Sequence, residues 1–360
     1  MSDSLTAAKT FLRDFFLSDR APARPGLILH QYRPAAEGEA PTDPDPVRAQ
    51  VVAEEYSALH LRVRNGDDYV PQLNTNNGTS AMASAFGAGL QDVGGGHWAE
   101  TLLRDLAEVD RLEKPPVTAG RIGEALEHTR VAAEISELPI RSLDTQSPLT
   151  VATQLVGVTE LFMAMYDQPR RVHALLEIIT DFFIDVGEAQ RAAAGERYVP
   201  VYWPHLWAPG EVGFEVADDY LLTLSPALYE EFSLPCLARL AEHFGGLFVH
   251  SCSLYREHLP CLQKIPHLRG VNCDLSMAAP LREIMDALPG VVVTPHIYMN
   301  KEITRPSQAA WLAEELAAWK PGDRLAPVVL AVIYDNQLQG DQPTDWEACG
   351  KVWREAGWEL

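Results

Sequence analysis

The chain has 360 residues, is 47% hydrophobic and carries 29 basic against 50 acidic side chains, a formal net charge of −21. A field of that sign repels the phosphates of nucleic acids and anionic membranes, so we expect neither as a partner. No apolar run approaches the roughly 20 residues of a membrane span, no secretion signal opens the chain, and five irregularly spaced cysteines do not look like a disulfide framework, which favours a cytoplasmic protein.

Strand-like and helical segments alternate along the chain. Short apolar runs with β-branched or aromatic residues predict eight strands: Leu27–Tyr32, Tyr69–Asn74, Ile140–Thr145, Tyr198–Trp203, Leu247–Cys252, Gly270–Asp274, Val291–Ile297 and Val328–Tyr334. Apolar residues at helical spacing, with caps and stops, predict helices between most of them: Leu149–Tyr166, Pro169–Ala194, a helix from Pro226 to about Gly245 kinked at Pro235, Pro280–Leu288 and Gln308–Trp319. Residues 34–46 contain four prolines and several acids and predict an exposed loop.

This alternation is typical of a parallel sheet covered by helices. Eight strands favour a closed (β/α)₈ TIM barrel, and we predict that residues 1–360 form one such domain, with a doubly wound open sheet as the alternative. No Gly-x-Gly-x-x-Gly motif follows a strand, and Gly94-Gly95-Gly96 more simply makes a flexible turn.

The barrel prediction directs attention to the carboxyl ends of the strands, where active sites of this architecture lie. Many side chains that bind ligands or carry protons stand at or just after these ends: His30, Gln31, Asn74, Thr75, Asp144, Gln146, Trp203, His205, His250, Cys252, Cys273, Asp274, His296, Tyr298, Tyr334 and Asp335. So many at one mouth are a stronger signal than any single residue.

His250 and Cys252 are the most informative pair, since residues i and i+2 of a strand share a face and can hold zinc together. We predict Cys273, at the end of the next strand, as the third ligand, although a free cysteine is also a common core residue. His296 is an alternative ligand or a general base. Zinc held in this way would keep a substrate thiol ionised near neutral pH.

Two carboxylates are candidates for acid–base roles. Asp144 follows a strand and precedes the helix start Ser147-Pro148. This position is compatible with three alternative roles: to bind the substrate, to orient a metal-bound histidine or to cap the helix. Asp218 stands beside Asp219, and the two would raise each other's pKa unless they lie in a solvated loop. Side chains predicted to wall a substrate pocket are Asn74, Trp203, His205, Tyr298 and Tyr334.

Several motifs resemble the uroporphyrinogen decarboxylase superfamily over residues 68–300. They include Asp144-Thr-Gln-Ser-Pro-Leu-Thr-Val-Ala, Tyr-Asp-Gln-Pro169, Leu224-Ser-Pro-Ala-Leu-Tyr-Glu-Glu-Phe232 and His250-Ser-Cys252. The resemblance implies a single (β/α)₈ barrel, in agreement with the count of strands.

The branches of that superfamily differ in chemistry. Its decarboxylases use no metal and carry an arginine-rich amino-terminal motif and an aspartate at an early strand end, where this chain has only Leu27–Arg33 and Asn74-Thr75. Its zinc methyltransferases carry His-x-Cys, which matches His250 and Cys252, followed by a cysteine at the last strand. Here residues 328–335 contain no cysteine, so Cys273 would have to replace it.

The resemblance therefore implies a methyltransferase that moves a methyl group between a corrinoid protein and a thiol or similar acceptor at a zinc site. One alternative is a metal-free lyase that uses Asp144, Asp218 or His296 on a small aromatic or carboxylated substrate. Another is a non-catalytic binding barrel. All three take a small molecule as ligand or a corrinoid protein as partner, and all are compatible with a monomer or a homodimer.

Overall fold

The computed structural model describes residues 3–31, 38–60, 67–75, 78–93, 96–275, 278–297, 306–331 and 346–358. Its strands are β1 (Ile28–Gln31), β2 (Leu90–Val93), β3 (Gly96–Ala99), β4 (Ile140–Arg141), β5 (Tyr198–Val199), β6 (Phe214–Ala217), β7 (Leu247–Ser251), β8 (Leu268–Cys273), β9 (Val292–Ile297) and β10 (Val328–Ala331). Its α-helices are α1 (Asp3–Leu17), α2 (Pro46–His60), α3 (Ala81–Ala85), α4 (Gly120–Ile135), α5 (Pro148–Val156), α6 (Val158–Asp167), α7 (Pro169–Ala194), α8 (Pro226–Leu228), α9 (Leu234–Phe244), α10 (Leu259–Leu262), α11 (Leu281–Ala287), α12 (Gln308–Ala318) and α13 (Trp346–Glu355).

The backbone pairings form a closed ring with eight positions. Six strands pair in parallel in the order β1-β10-β9-β8-β7-β6. Strand β4 pairs with β5. The segment that follows β4 then pairs with β6, through a bridge between Gln146 and Ala217, so β5 and β6 occupy one position of the ring in succession. Leu73 bridges to Ile140, and the Asp68 N–H donates to the Leu27 carbonyl, which joins the ring to β1. The predicted α/β barrel fold is confirmed.

The structure corrects several predicted elements. Strand β6 lies where no strand was predicted, because it is only four residues long and contains Glu215. The helix predicted over Leu149–Tyr166 is two helices, α5 and α6, that meet at Gly157, where a φ of +100° favours glycine and ends α5. The sequence also gave no sign of the antiparallel pair β2–β3, which flanks residues 94–95.

Successive side chains of β7, all of them buried, point alternately to the helices and into the barrel. Leu247 and Val249 belong to the apolar cluster between the sheet and the helices, whereas Phe248 packs in a separate cluster inside the barrel. That inner cluster also contains Leu12 and Phe15 of the helix α1, so α1 closes the lower end of the barrel. By the same alternation His250, two residues after Phe248, faces inward above this apolar layer.

Local sequence signals fix the helices near the barrel mouth. Ser147 accepts a hydrogen bond from the backbone N–H of Thr150 and is followed by Pro148 in the first turn of α5. A kink was predicted at Pro235, and Pro235 lies in the first turn of α9, directly after a π-helical turn over Tyr229–Ser233. Helix α9 ends at Gly245, which has a φ of +77°.

Among the described residues, no single helix has both the length and the apolar character needed to cross a membrane. Helices α5 and α6 would meet that test only when taken together, by length and composition, across a bend of 105°.

Candidate metal centre at the barrel mouth

Three different donor groups converge at the carboxyl ends of β6 and β7. Ligand atoms of Asp219, His250 and Cys252 all lie within 4.8 Å of one another. The His250 Nε2 atom is 3.8 Å from Asp219 Oδ1 and 3.9 Å from Cys252 Sγ. Within the described part of the chain, a search for three or more His, Cys, Asp or Glu side chains at metal-binding spacing finds this cluster.

Backbone pairing holds this cluster together. The Asp218 N–H donates to the His250 carbonyl at 2.8 Å, which fixes the end of β6 against β7. The Cys252 N–H donates to Asp219 Oδ1, also at 2.8 Å. The short distance between the two strand ends, rather than their spacing in sequence, therefore brings the carboxylate to the His-x-Cys pair.

Asn272 on β8 determines the orientation of His250. Its Nδ2 donates to the Thr294 carbonyl, so its Oδ1 must face the two histidines as an acceptor. That Oδ1 lies 2.6 Å from His250 Nδ1 and 3.2 Å from His296 Nδ1. Both imidazoles therefore donate from Nδ1, and each keeps a lone pair on Nε2, the atom that in His250 faces Asp219 and Cys252.

Burial favours the neutral form of both histidines. It lowers the pKa of His250, against the opposing effects of Asp219 and Asn272. It also lowers the pKa of His296 well below 6.5, with a further contribution from His250. A neutral imidazole is the form that binds a metal.

Aromatic rings enclose the space beside the cluster. The ring centroids of Trp203, His250 and His296 are 5.9 to 6.2 Å apart, and the His205 ring lies 4.8 Å from that of Trp203. The predicted pocket residues Trp203 and His205 are thus brought to the candidate metal centre together with His296. His205 has a φ of +71°, a conformation that is strained for a residue with a side chain.

Asp218, the residue that we predicted to be catalytic, is placed differently from its neighbour Asp219. It is fully buried, and its carboxylate accepts hydrogen bonds from the hydroxyls of Ser147, Tyr229 and Ser233 at 2.7, 2.9 and 3.2 Å. These three hydrogen bonds hold the Asp218 carboxylate on the side of the helices, and the carboxylate in the three-donor cluster is that of Asp219.

Cys273 is also placed away from the cluster. It follows Asn272 on β8, and successive side chains of a strand point to opposite faces. Since Asn272 points inward to the histidines, Cys273 points outward, where it is fully buried in the apolar cluster under the helices. Asp219 takes the place of Cys273 as the third donor, because strand alternation excludes Cys273 from this side of the sheet.

Asp144 lies at the same mouth but outside the three-donor cluster. Its Oδ1 accepts a hydrogen bond from Gln146 at 2.9 Å. One predicted role of Asp144 was to cap helix α5, but the side chain of Ser147 makes that cap. Burial, opposed by Gln146 and assisted by Asp219, raises the pKa of Asp144 to about 6. A carboxyl with such a pKa is able to exchange a proton near neutral pH.

The remaining predicted pocket residues lie on other strands. Leu73 packs in an outer cluster, so the neighbouring Asn74 lies on the barrel side by alternation. Gln72, on that same side, donates from Nε2 to the His205 carbonyl and links this strand to the aromatic segment. Tyr298 and Tyr334 lie outside the described residues.

The donor set fits a zinc ion. Zinc bonds of about 2.0 to 2.3 Å at tetrahedral angles place ligand atoms about 3.4 to 3.6 Å apart. His250 Nε2 lies nearly that far, 3.8 and 3.9 Å, from Asp219 Oδ1 and Cys252 Sγ. Burial of the sulfur and then Asp219 raise the pKa of the Cys252 thiol. A bound cation would favour the thiolate form. Three protein ligands leave a fourth position, as in catalytic rather than structural zinc sites.

Two roles in the site were not predicted from the sequence. Asp219 supplies the carboxylate of the three-donor cluster, and Asn272 accepts hydrogen bonds from both histidines. Asn272 was detectable in principle, because it occupies the position before Cys273 on a predicted strand beside that of His250. The pairing register, which puts Asn272 next to His250, was not readable from the sequence.

Comparisons with known proteins agree with this fold. The family model of uroporphyrinogen decarboxylase (URO-D) matches residues 77–201, a segment that contains Asp144 but not the three-donor cluster. A uroporphyrinogen decarboxylase from Anaeromyxobacter sp. (strain Fw109-5) is 28% identical over 198 residues, and the match spans 53% of this chain and about half of that protein, 52%.

A solved structure extends the likeness to nearly the whole chain. A methyltransferase from Methanosarcina mazei superposes with a TM-score of 0.66 over 97% of both chains, at 16% sequence identity, which shows a shared fold. The matched segment and the curated relative show that part of this chain is similar to uroporphyrinogen decarboxylases, in agreement with the resemblance seen in the sequence.

Proposed function

We propose that this protein is a zinc-dependent methyltransferase that moves a methyl group between a corrinoid protein and a thiol or similar small acceptor. The observation that carries the proposal is the convergence of Asp219, His250 and Cys252 at the barrel mouth. Its fold, which is that of a methyltransferase of known structure, supports the same class of reaction. All five cysteines are free, in keeping with a reducing cytoplasm.

A zinc ion bound by these three side chains would keep a coordinated substrate thiol ionised near neutral pH. Asn272 orients the His250 imidazole by accepting from Nδ1, which presents Nε2 to the site. Asp219 brings a negative charge that balances a dication and holds the Cys252 backbone in place. The Trp203 and His296 rings pack beside His250, with centroids 6.2 and 6.0 Å from that of its imidazole.

Zinc content tests the ligand set directly. Purified wild-type protein is expected to hold about one equivalent of zinc by mass spectrometry, whereas Cys252→Ala and Asp219→Asn are expected to hold less than about a tenth. The matched control is Cys273→Ala, a thiol deletion on the opposite face of the neighbouring strand, which should retain zinc. If Cys273→Ala loses zinc as Cys252→Ala does, the ligand assignment is wrong.

Thiol-dependent demethylation of methylcobalamin, followed by the absorbance of the corrinoid, tests the reaction. Activity that rises with zinc occupancy supports the proposal. Full activity of a wild-type protein with less than about a tenth of an equivalent of zinc would exclude a zinc-dependent mechanism.

A second candidate is a metal-free carboxy-lyase, favoured by Asp144, whose pKa of about 6 suits proton transfer, and by the name of the curated relative. This candidate makes the opposite prediction for two variants. Cys252→Ala would keep most of the activity, and Asp144→Asn would lose about 100-fold or more. Carbon dioxide release from small carboxylated aromatic compounds is the assay.

A further inference from the structure

A cleft with a volume of about 980 Å³ opens at the end of the barrel opposite to the candidate metal centre. Its walls are formed by helix α1, the end of α7 and the segments that lead into β4 to β8. Tyr198, for example, is the first residue of β5, Gly245 precedes β7, and Arg269 lies near the start of β8. The cleft therefore lies at the amino-terminal ends of the parallel strands, whereas the three-donor cluster lies at their carboxyl ends.

The cleft reverses the charge balance of the chain. Acidic side chains outnumber basic ones by 50 to 29 in the whole sequence, but the cleft is lined by five basic and three acidic side chains. Two of each form ion pairs with one another, Arg13 with Glu211 and, at 3.8 Å, Arg197 with Glu137. These pairs add no net charge, so the character of the cleft depends on the other four charged residues.

Three cations and one carboxylate remain, with a net charge of +2. In the described part of the chain Lys9, Arg191 and Arg269 form no ion pair, and neither does Glu196. Burial lowers the pKa of Lys9, because an ammonium group loses hydration there without a compensating anion. The cleft is thus a local basic surface in a strongly acidic chain, as an anion site requires.

Two carboxyl groups just outside the cleft, those of Glu188 and Glu215, lie near Tyr198 but have partners elsewhere. Glu188 is hydrogen-bonded to His243 at 2.9 Å, and Glu215 accepts from the backbone N–H groups of residues 202 and 203. Burial raises the pKa of Glu215 well above 4.5, which favours its neutral form. The three cations of the cleft are therefore left without a paired carboxylate.

The two arginines flank a point where two glycine backbones touch. Arg191 Nη2 donates to the Gly213 carbonyl at 2.7 Å, and the Arg269 side chain packs on Gly246. A Cβ on Gly213 would lie 2.0 Å from the Gly246 carbonyl oxygen, and a Cβ on Gly246 would lie 3.2 Å from Arg269 Nε. Because neither glycine has a side chain, both guanidinium groups lie against the same short stretch of backbone in the cleft wall.

The same side chains have unused hydrogen-bond donors. The Nε atoms of Arg191 and Arg269 and the hydroxyl of Tyr198 are buried without a hydrogen-bond partner among the described residues. The Arg191 guanidinium is held over the rings of Phe244 and Tyr198, at 4.8 and 5.4 Å from their centroids. Guanidinium groups that are short of acceptors gain most from a charged acceptor, because hydrogen bonds to an ion are about twice as strong as neutral ones.

We propose that the cleft is a non-catalytic binding site for a phosphate dianion, carried by inorganic phosphate or by a small phosphate monoester, and that Lys9, Arg191 and Arg269 bind it. A tetrahedral dianion offers acceptors in several directions, as cations from α1, α7 and β8 require, and its charge matches the net charge of the cleft. The volume is at the upper end of the range for ligand pockets, about 300 to 1,000 Å³, and leaves room for the organic part of an ester. The site shares no residue with the candidate metal centre, so it does not depend on the proposed function.

Calorimetric titration of the purified protein tests the proposal. The probes are inorganic phosphate, glycerol 3-phosphate and, as a monoanion, acetate. At least one of the two phosphates is expected to bind at least about tenfold more tightly than acetate, and the one that binds more tightly identifies the source of the dianion. Arg269→Gln and Lys9→Gln should each weaken that binding about tenfold. Arg104→Gln, the matched loss of an exposed arginine outside the cleft, should leave it unchanged.

The controls localise the binding. Cys252→Ala, which lacks a donor of the candidate metal centre, should bind phosphate as the wild type does. If Cys252→Ala loses phosphate binding, the anion binds at the barrel mouth and the assignment to the cleft is wrong. Absence of phosphate binding, equal binding of acetate, or equal weakening in Arg104→Gln would also overturn the proposal. Should Arg269→Gln not fold, as judged by circular dichroism, Lys9→Gln on α1 decides, and undiminished binding in that variant overturns the proposal equally.

Discussion

The Nδ1 atom of His250 lies 2.6 Å from the Oδ1 atom of Asn272, its direct partner in the pairing of β7 with β8. The same oxygen lies 3.2 Å from Nδ1 of His296 on β9. One amide on the middle strand therefore fixes the tautomers of imidazoles on both neighbouring strands. It aims the lone pair of His250 at the three-donor cluster, and this relationship gives the first prediction.

Asn272→Ala is expected to weaken zinc binding by about 10- to 100-fold, because His250 loses the acceptor that orients its ring and selects its tautomer. A competition titration with a chromophoric chelator measures the affinity. Asn272→Asp retains an acceptor oxygen and serves as the control, with a smaller loss. Wild-type affinity in Asn272→Ala would mean that Asn272 does not support the site.

Substitution of Asp218 should lower the stability of the fold, whereas substitution of Asp219 should abolish zinc binding. Asp218→Ala leaves three buried hydroxyl groups without their acceptor and is expected to cost about 1 to 3 kcal/mol of unfolding free energy. Asp219→Ala, at a side chain that is 37% exposed, should change the stability of zinc-free protein by less than about 1 kcal/mol and abolish zinc binding. Urea unfolding with a chelator present measures both, and equal losses would contradict the different roles given to these neighbours.

Cys252 should be the first of the five thiols to react in the native protein. The residue as a whole is exposed, whereas the other four cysteines are buried. Its reaction with iodoacetamide at pH 7.5 should still be slower than that of a free cysteine, because partial burial of the sulfur and the nearby Asp219 raise its pKa, and it should accelerate in Asp219→Asn. Zinc should protect it. Cys261→Ala should leave the fast phase unchanged, and a fast phase that survives in Cys252→Ala would refute the assignment.

Asp144 should make the zinc-free protein less stable as the pH rises. Its pKa is raised in the folded state from 3.8 to about 6, so the folded chain holds this proton more tightly than the unfolded chain. The stabilisation by the protonated form is complete below the unfolded pKa and is lost as the pH rises towards 6. Relative to the wild type, Asp144→Asn should therefore gain up to about 3 kcal/mol between pH 4 and pH 7.

Urea unfolding of the two proteins in chelator across that range gives the difference directly. Asp218 lies outside the comparison, since both proteins retain it. A difference that does not vary with pH, or that changes in the opposite direction, would show that the carboxyl of Asp144 is not perturbed in the fold.

The architecture was readable from the sequence because it depends on local patterns that repeat. Alternating apolar runs and helical periodicity predicted the barrel, and Ser147-Pro148 predicted the start of α5 at the position observed. Shorter elements gave too little pattern. The four residues of β6 include an inward-facing glutamate, and the break at Gly157 was masked by apolar residues on both sides.

The site was only partly readable, because it depends on faces and registers. The sequence placed His250 and Cys252 together, since two residues on one strand have a fixed relation. It could not say which of Asp218 and Asp219 faces the mouth, because a shift of one residue after a strand exchanges the two faces. From the sequence we predicted Cys273 as the third ligand, whereas the register of β8 places Asn272, not Cys273, on the inner face of the barrel.

By itself, the sequence determined the fold class, the mouth of the barrel and the His-x-Cys pair, all of which follow from the identity and spacing of residues within single elements. Only the tertiary structure decided that Asp219 completes the cluster and that Asn272 orients the histidines. Those two facts arise from contacts between elements far apart in the chain, and no local pattern of residues encodes such contacts.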